Sequence, residues 1–253
     1  MKKSIQEIKQ ELEQADTREL SSLLQYYRED ERKGVQNLLG KIKREQEKLE
    51  QEKLRLENMK IFEKKYESYP YIAGIDEAGR GPLAGPVVAG AVILPKDCNI
   101  LYLNDSKQLS AAKREALYDE IREKAVAYGV GIVSPQRIDE INILQATYEA
   151  MRDAINNLKI SPELLLVDAV TIPEVSVKQV GIIKGDAKSV SIAAASILAK
   201  VTRDRIMVEY EQMYPEYGFA GHKGYGSQAH IAAIRKYGPC PIHRRTFLKN
   251  FIQ

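Results

Sequence analysis

Two textures of hydrophobic and polar positions divide the 253-residue chain near residue 68. Up to about residue 67, apolar residues keep helical spacing and charges of both signs alternate densely between them, as in Lys41-Ile42-Lys43-Arg44-Glu45-Gln46-Glu47-Lys48-Leu49-Glu50. Proline is absent from this stretch, and its only glycines are Gly34 and Gly40. Such a composition favours helix. Asp16 followed three positions later by Glu19 predicts a helix start near Thr17. Val35, Ile42, Leu49 and Leu56 recur every seven residues, with Leu38 and Leu39 beside the first two, yet polar residues fill many other inward positions. The pattern predicts short helices and then one long amphipathic helix. That helix is either a solvated arm or a face that packs on another surface or aids substrate capture.

From about residue 69 the pattern changes to short apolar runs punctuated by glycine and proline. Tyr71–Ile75, Val87–Leu94, Tyr128–Val133, Leu164–Val167 and Val180–Ile183 read as five strands. Gly79, Gly81, Pro82, Gly85 and Pro86 force a turn between the first two. Helical spacing covers 111–127, with Ser110 as its cap, then 136–158 and 189–205, the last with a small-residue face at Ala193, Ala194, Ala195 and Ala199. Strands that first cluster and then alternate with helices predict an α/β fold, a mixed sheet flanked by helices. The expected division is a helical N-terminal extension over 1–67 and a main domain over 68–253, closing with a helical segment from about 206 to 253.

Composition narrows the function class only a little. Hydrophobic residues at 44% and charged residues at 29% suit a soluble protein with a real core. No apolar run approaches the roughly 20 residues that span a bilayer, and the N-terminus turns polar at once, so a cytoplasmic location is expected. Cys98 and Cys240 stand in no metal-ligand spacing and read as reduced thiols. With a net charge of only +3, any nucleic-acid surface must come from local clustering.

The chemistry lies in the acids. Asp76 and Glu77 follow directly on a strand, Asp168 ends another, and Asp186 follows a third. Successive strand residues point to opposite faces, so Asp76 and Glu77 can share a site only if the backbone turns there, which the glycines after them permit. Each acid alone could merely cap a turn. Four acids at the ends of three strands point instead to a cation site, because clustered buried carboxylates repel unless a cation neutralises them. Without cysteine or histidine partners, the set favours a hard ion, Mg²⁺ or Mn²⁺. Two such ions can activate water and stabilise the leaving oxygen of a phosphodiester. Gly79-Arg80-Gly81-Pro82 offers backbone N–H groups and one guanidinium to a phosphate or sugar, but it is no Walker-type loop, since no Gly-Lys-Ser/Thr follows.

At Ile75-Asp76-Glu77-Ala78-Gly79-Arg80-Gly81-Pro82-Leu83-Ala84-Gly85-Pro86-Val87 the chain closely resembles the signature of ribonuclease HII. Further matches follow in order: Asn104-Asp105-Ser106-Lys107-Gln108-Leu109-Ser110, Leu166-Val167-Asp168, Lys184-Gly185-Asp186-Ala187-Lys188-Ser189, Ile192–Asp204, His222-Lys223-Gly224-Tyr225-Gly226 and Pro241–Phe247. The resemblance spans about 70 to 247 and leaves residues 1–67 outside it. It implies a ribonuclease H-like fold, catalytic and metal-binding roles for Asp76, Glu77, Asp168 and Asp186, and a sugar-reading role for the Gly79-Arg80-Gly81 turn. Tyr225, which residue reasoning alone would call a packing tyrosine, matches the tyrosine that helps recognise a ribonucleotide followed by DNA. The implied activity is hydrolysis of RNA in RNA/DNA hybrids and nicking 5′ to ribonucleotides embedded in duplex DNA, leaving 3′-OH and 5′-phosphate ends. The implied cofactor is two Mn²⁺ or Mg²⁺ ions, and the implied partners are those nucleic acids, for a monomer without a membrane role. The Arg-bearing turn and helical N-terminus differ from ribonuclease HIII, which has Ser and Thr around its first glycines and a sheet-containing N-terminal domain. A non-catalytic nucleic-acid clamp is the alternative of another class.

Several other polar residues carry two readings each. Ser106 and Ser189 are either donors to phosphate or caps of turns and helices. Lys107 and Lys188 are expected phosphate contacts, with Lys184, Lys200, Arg244 and Arg245 as weaker candidates. His222, His230 and His243 suit no zinc spacing, and His222 is placed beside Tyr225 at the groove.

Overall fold

The computed structural model describes residues 3–249. Contacts divide the chain into two compact units, Met1–Arg55 and Leu56–Gln253.

The first unit is helical. Ser4 and Glu7 form a reciprocal capping box at α1 (Ile5–Gln14), and Asp16 with Glu19 forms another at α2 (Thr17–Tyr26), where the sequence predicts a start. The long helix α3 (Lys33–Met59) follows. Ile8, Leu12, Tyr27 and Val35 make a small core with Leu38, Leu39 and Ile42 packed against it. The seven-residue stripe is therefore not one seam. Val35 and Ile42 serve this core, Leu49 is 36% exposed, and Leu56 belongs to the core of the second unit.

The second unit holds a five-stranded sheet in the order β3-β2-β1-β4-β5, with β1 (Ile72–Ala78), β2 (Val87–Ile93), β3 (Ala127–Val133), β4 (Leu164–Asp168) and β5 (Lys178–Ile182). β1–β2 and β2–β3 run antiparallel, while β1–β4 and β4–β5 run parallel, which makes the sheet mixed as expected. One face carries Ala73, Ile75, Leu165 and Val167 against α6 (Pro135–Asn156). The other carries Val92 against α5 (Ala111–Lys124) and α7 (Val190–Met213). The small face of α7 lets it lie on the sheet: a Cβ at Gly74 would strike the backbone of Ser191, and one at Gly90 the carbonyl of Ala195.

Two helices depart from the predicted pattern. The 136–158 stretch is not continuous, because Asn142 takes φ 68° and its side chain accepts the N–H groups of Leu144 and Gln145, restarting the helix as an internal cap. α7 outlasts its predicted end at 205 and runs to Met213, since Met207 packs into a third core with Phe219, Ile234 and Ile242. That core is built with α8 (Phe219–His222) and α9 (Gln228–Tyr237).

Residues just after Arg55 are structural parts of the second unit. Leu56 and Met59 enter the α5–α7 core, and α4 (Ile61–Lys65) brings Phe62 and Glu63 beside the start of α7. Glu63 Oε1 accepts from the Ser189 hydroxyl (2.5 Å) and the Ser191 N–H (3.1 Å), a carboxylate at the positive end of a long helix. Removing residues 1–67 is therefore expected to lower the melting temperature by at least about 10 °C relative to removing only 1–55, given about 2–4 °C per kcal/mol and two large buried side chains. Equal melting temperatures for the two truncations would contradict this packing.

Candidate active site

The register brings the acids together. β4 pairs with β1 so that Val167 lies beside Ile75, which sets Asp168 next to Asp76 on the α7 side of the sheet. The Asp168 Oδ1 accepts the Gly185 N–H at 2.7 Å and ties in the short helical turn Gly185–Ala187 that carries Asp186. Lys184, in the left-handed region at φ 58°, makes the reversal into that turn.

The backbone turn expected between Asp76 and Glu77 does not occur. β1 stays paired with β2 through Ala78, Asp76 opposite Gly90 and Glu77 opposite Ala89. The two acids leave the strand on opposite sides, and at its end both remain within electrostatic reach of Asp168.

Burial first, and then the charges of Glu77 and Asp168, hold the Asp76 carboxyl well above the usual range. Glu77 is also raised by burial and Asp168, with Arg80 opposing. Asp186 is raised by burial, Asp105 and Asp168. Lys107 feels burial, but Asp105, Asp76 and Asp186 outweigh it and raise its pKa. The acids thus gather negative charge that Arg80 and Lys107 partly offset. Among the described residues no three Asp, Glu, His or Cys side chains already stand around one common point. The donor set still fits a hard divalent cation, being all carboxylate oxygen and destabilised by its own repulsion.

The serines lie behind the acids rather than in the groove. Ser106 is buried, with its hydroxyl 2.9 Å from that of Ser196, and Ser196 in turn hydrogen-bonds Asp76. Ser189 is fully buried between Glu63 and the Ile192 N–H as the cap of α7. Of the two readings for these hydroxyls, the structure supports the cap and support role over phosphate contact. The Lys188 ammonium donates to the Ile183 carbonyl at 2.9 Å, and Lys200 pairs with Asp204 at 2.7 Å.

The Gly79-Arg80-Gly81 turn is held from beneath by two arginines that sequence reasoning left without this role. Arg244 is fully buried, not on a phosphate surface: its guanidinium donates to the carbonyls of Gly79 (2.5 Å), Arg80 (2.9 Å), Gly85 (2.9 Å) and Pro86 (3.2 Å). Arg203, also buried, donates to Pro86, Ala84 and Lys223. Burial pushes Arg244 down to about 9 and Arg203 down to about 10. In a trans peptide the carbonyl and the following N–H point opposite ways. Drawing the Gly79 and Arg80 carbonyls inward therefore turns the Arg80 and Gly81 N–H groups outward. Tyr225 stands next to them, its ring 3.9 Å from the place a Gly81 Cβ would occupy and 46% exposed. Only the order of the motifs hinted at this support; two arginines far apart in sequence gave no periodic signal.

The histidines are packed rather than presented at the groove. His222 accepts from the Gly224 N–H and bonds the Tyr217 carbonyl. His230 and His243 are buried Nε2 to Nε2 at 3.0 Å, and burial pushes both down to about 4. Unfolded histidines titrate near 6.5, so below that value the unfolded chain binds protons that the folded chain refuses. Their stabilisation is complete above about pH 6.5 and is lost as pH falls toward 4. The melting temperature is expected to fall from pH 7 to pH 5, and less steeply in His243→Gln; equal slopes would contradict the assignment.

Comparison with known proteins agrees with this geometry. Residues 73–250 match the family described as "Ribonuclease HII", and residues 4–67 match "Ribonuclease HII N-terminal domain". The chain is similar to ribonuclease HII of Lachnoclostridium phytofermentans, 62% identical over 97% of each chain, and to that of Clostridioides difficile, 55% identical over 99% of each. Among solved structures it resembles the ribonuclease H2 of Pyrococcus horikoshii OT3, with a TM-score of 0.59, 34% identity, and coverage of 71% of this chain and 100% of that one.

Proposed function

Since the chain belongs to the ribonuclease HII family and has that family's activity, we propose that its acid cleft and glycine turn together make it an endonuclease that reads one ribose at the cut. The convergence of Asp76, Glu77, Asp168 and Asp186 from three strands beside an outward-facing N–H turn carries the reading.

The family uses divalent metal ions. We assign their binding here to Asp76, Glu77, Asp168 and Asp186, with two Mg²⁺ or Mn²⁺ ions per site. When bound, the ions supply water activation and charge stabilisation at the departing 3′ oxygen. Ser196, backed by Ser106, holds the Asp76 carboxylate in place. The Arg80 and Gly81 N–H groups, with Gly79 leaving the backbone uncovered, meet the ribose 2′-OH, the one group that separates RNA from DNA locally. Tyr225 packs against the same sugar, and Lys107 offsets phosphate charge; Lys188 contributes more distantly. Attack of water on phosphorus breaks its bond to the upstream 3′ oxygen, leaving a 3′-OH and a 5′-phosphate. The substrates are RNA/DNA hybrids and duplex DNA with embedded ribonucleotides, the latter pointing to ribonucleotide excision repair.

We assign residues 1–67 to the helical N-terminal domain and 68–253 to the catalytic domain, a division supported by the change of sequence texture near residue 68 and the family match over 4–67, while the compact second unit itself begins at Leu56. No described helix is long and apolar enough to cross a membrane.

The test is incubation with a duplex bearing one ribonucleotide, with Mg²⁺ and with EDTA. A single nick that requires the metal is expected. Tight binding without metal-dependent cleavage would favour the clamp instead.

A further inference from the structure

Tyr225 has little side-chain packing to aim it. Its ring is about half exposed, and its only recorded ring partner among the described residues is the Arg203 guanidinium, 6.0 Å from the ring centre. The backbone leading to it is irregular: Lys223 and Gly224 are both left-handed, at φ 52° and 83°. A lysine in that region costs on the order of 1 kcal/mol, so something must hold the segment. Where the ring projects is decided by what anchors the Tyr225 peptide groups.

The Tyr225 N–H donates to the His222 carbonyl at 2.9 Å, and its carbonyl accepts from the Ser227 N–H at 2.8 Å. The side-chain anchor on that same carbonyl is a histidine chain with only one consistent proton arrangement. The Cys240 N–H donates to His243 Nδ1 at 3.0 Å, so that nitrogen carries no proton and the ring proton sits on Nε2. His243 Nε2 lies 3.0 Å from His230 Nε2, which must then accept. The remaining proton of His230 sits on Nδ1 and is donated to the Tyr225 carbonyl at 2.9 Å. His222 stacks flat on His230, with centroids 4.3 Å apart, and is locked by the Gly224 N–H on one side and the Tyr217 carbonyl on the other. Phe219 packs edge-on against His230. A proton added to His230 Nε2 or His243 Nδ1 would face a donor, so the chain works only with both rings neutral, in keeping with their depressed pKa values.

We propose that His230 and His243 are positioning residues for substrate recognition: their directed hydrogen-bond chain, running from the Cys240 N–H to the Tyr225 carbonyl, fixes the backbone from which the tyrosine meets the ribose. This rests on the reading of Tyr225 as a recognition residue. It goes beyond that reading because neither histidine reaches the groove. His230 is fully buried and His243 nearly so.

Side-chain geometry supplies the test. An asparagine amide nitrogen occupies the place of a histidine Nδ1, and a glutamine amide nitrogen the place of Nε2. His230→Asn therefore keeps the donor to Tyr225, whereas His230→Gln loses it. On a duplex with one ribonucleotide, kcat/KM is expected to fall about tenfold in His230→Gln, and to stay within about threefold of the parent in His230→Asn, a gap of order 1 kcal/mol in positioning. Tyr225→Ala, measured alongside, is expected to fall at least as far as His230→Gln. Equal losses in the two His230 variants, or no loss in either while Tyr225→Ala is impaired, would overturn the relay and leave the tyrosine reading intact. An unimpaired Tyr225→Ala would overturn both.

A second measurement needs no variant. The chain has only three histidines, so ¹⁵N-histidine spectra of the whole protein at pH 7.5 resolve every ring. Neutral rings are expected at His230 and His243, with the proton on Nδ1 of His230 and on Nε2 of His243. An Nε2–H tautomer at His230 would overturn the proposal even if no His230 variant folds.

Discussion

Asp76→Asn is expected to lower cleavage by at least about 10³-fold while raising the melting temperature measured in EDTA. The amide keeps the shape of the carboxylate and still accepts the Glu77 N–H that Asp76 Oδ1 takes at 2.7 Å, so the strand end is preserved. It removes the most deeply buried of the four charges, the one held up first by burial and then by Glu77 and Asp168. Without metal the burial of that charge and its repulsion by Glu77 and Asp168 outweigh its hydrogen bonds, and its loss is expected to add about 2–6 °C. As the proposed metal ligand it should also couple stability to the ion, so the stabilisation that Mg²⁺ or Mn²⁺ gives the parent is expected to shrink in the variant. Full cleavage, or an unchanged response of the melting temperature to metal, would contradict the role given to Asp76.

The second large effect belongs to Arg244. Lysine retains the charge but replaces a planar fork with a single nitrogen, and one nitrogen cannot serve the carbonyls of Gly79, Arg80, Gly85 and Pro86 together. Arg244→Lys is expected to cost about 3 kcal/mol, or some 6–12 °C in melting temperature, through the buried acceptors it abandons. It is also expected to lower kcat/KM on ribonucleotide-containing duplexes by about 100-fold at a temperature where the variant is fully folded. Freed carbonyls let the Gly79–Arg80 and Arg80–Gly81 peptides rotate, and the N–H groups are then no longer held outward for the proposed contact with the sugar. A variant that melts early but cleaves normally would show that Arg244 supports the fold and not the turn.

Much of this was legible in the sequence, for physical reasons that differ from one element to the next. The strands were readable because each is a short, nearly continuous apolar run, and the four acids because each directly ends or follows such a run. Capping at Asp16 and Ser110 is local chemistry and needs no tertiary knowledge. What stayed hidden depends on contacts between distant segments. Ser106 and Ser189 could be caps or phosphate donors by sequence, and only the fold shows that both hydroxyls are buried. Arg244 was read as a candidate phosphate contact, and Arg203 was given no role, because a buried guanidinium served only by carbonyls leaves no mark on charge spacing. The break at Asn142 was missed because its neighbours keep helical spacing on both sides of it. The turn expected after Asp76 failed for a different reason: alternation along a strand does not separate two carboxylates when both stand at the strand's open end.

The central claim is that one cleft combines a metal-binding acid cluster with a turn that reads a single ribose. It is tested most directly by comparing two duplexes that differ in one atom. One carries a single ribonucleotide in otherwise all-DNA strands, and the other has the 2′-OH at that position replaced by hydrogen. With Mg²⁺, the first is expected to be nicked on the 5′ side of the ribonucleotide, yielding a 3′-OH and a 5′-phosphate, and the second to remain intact. Equal cleavage of both duplexes, or cleavage of the first at a site unrelated to the ribose, would contradict the account.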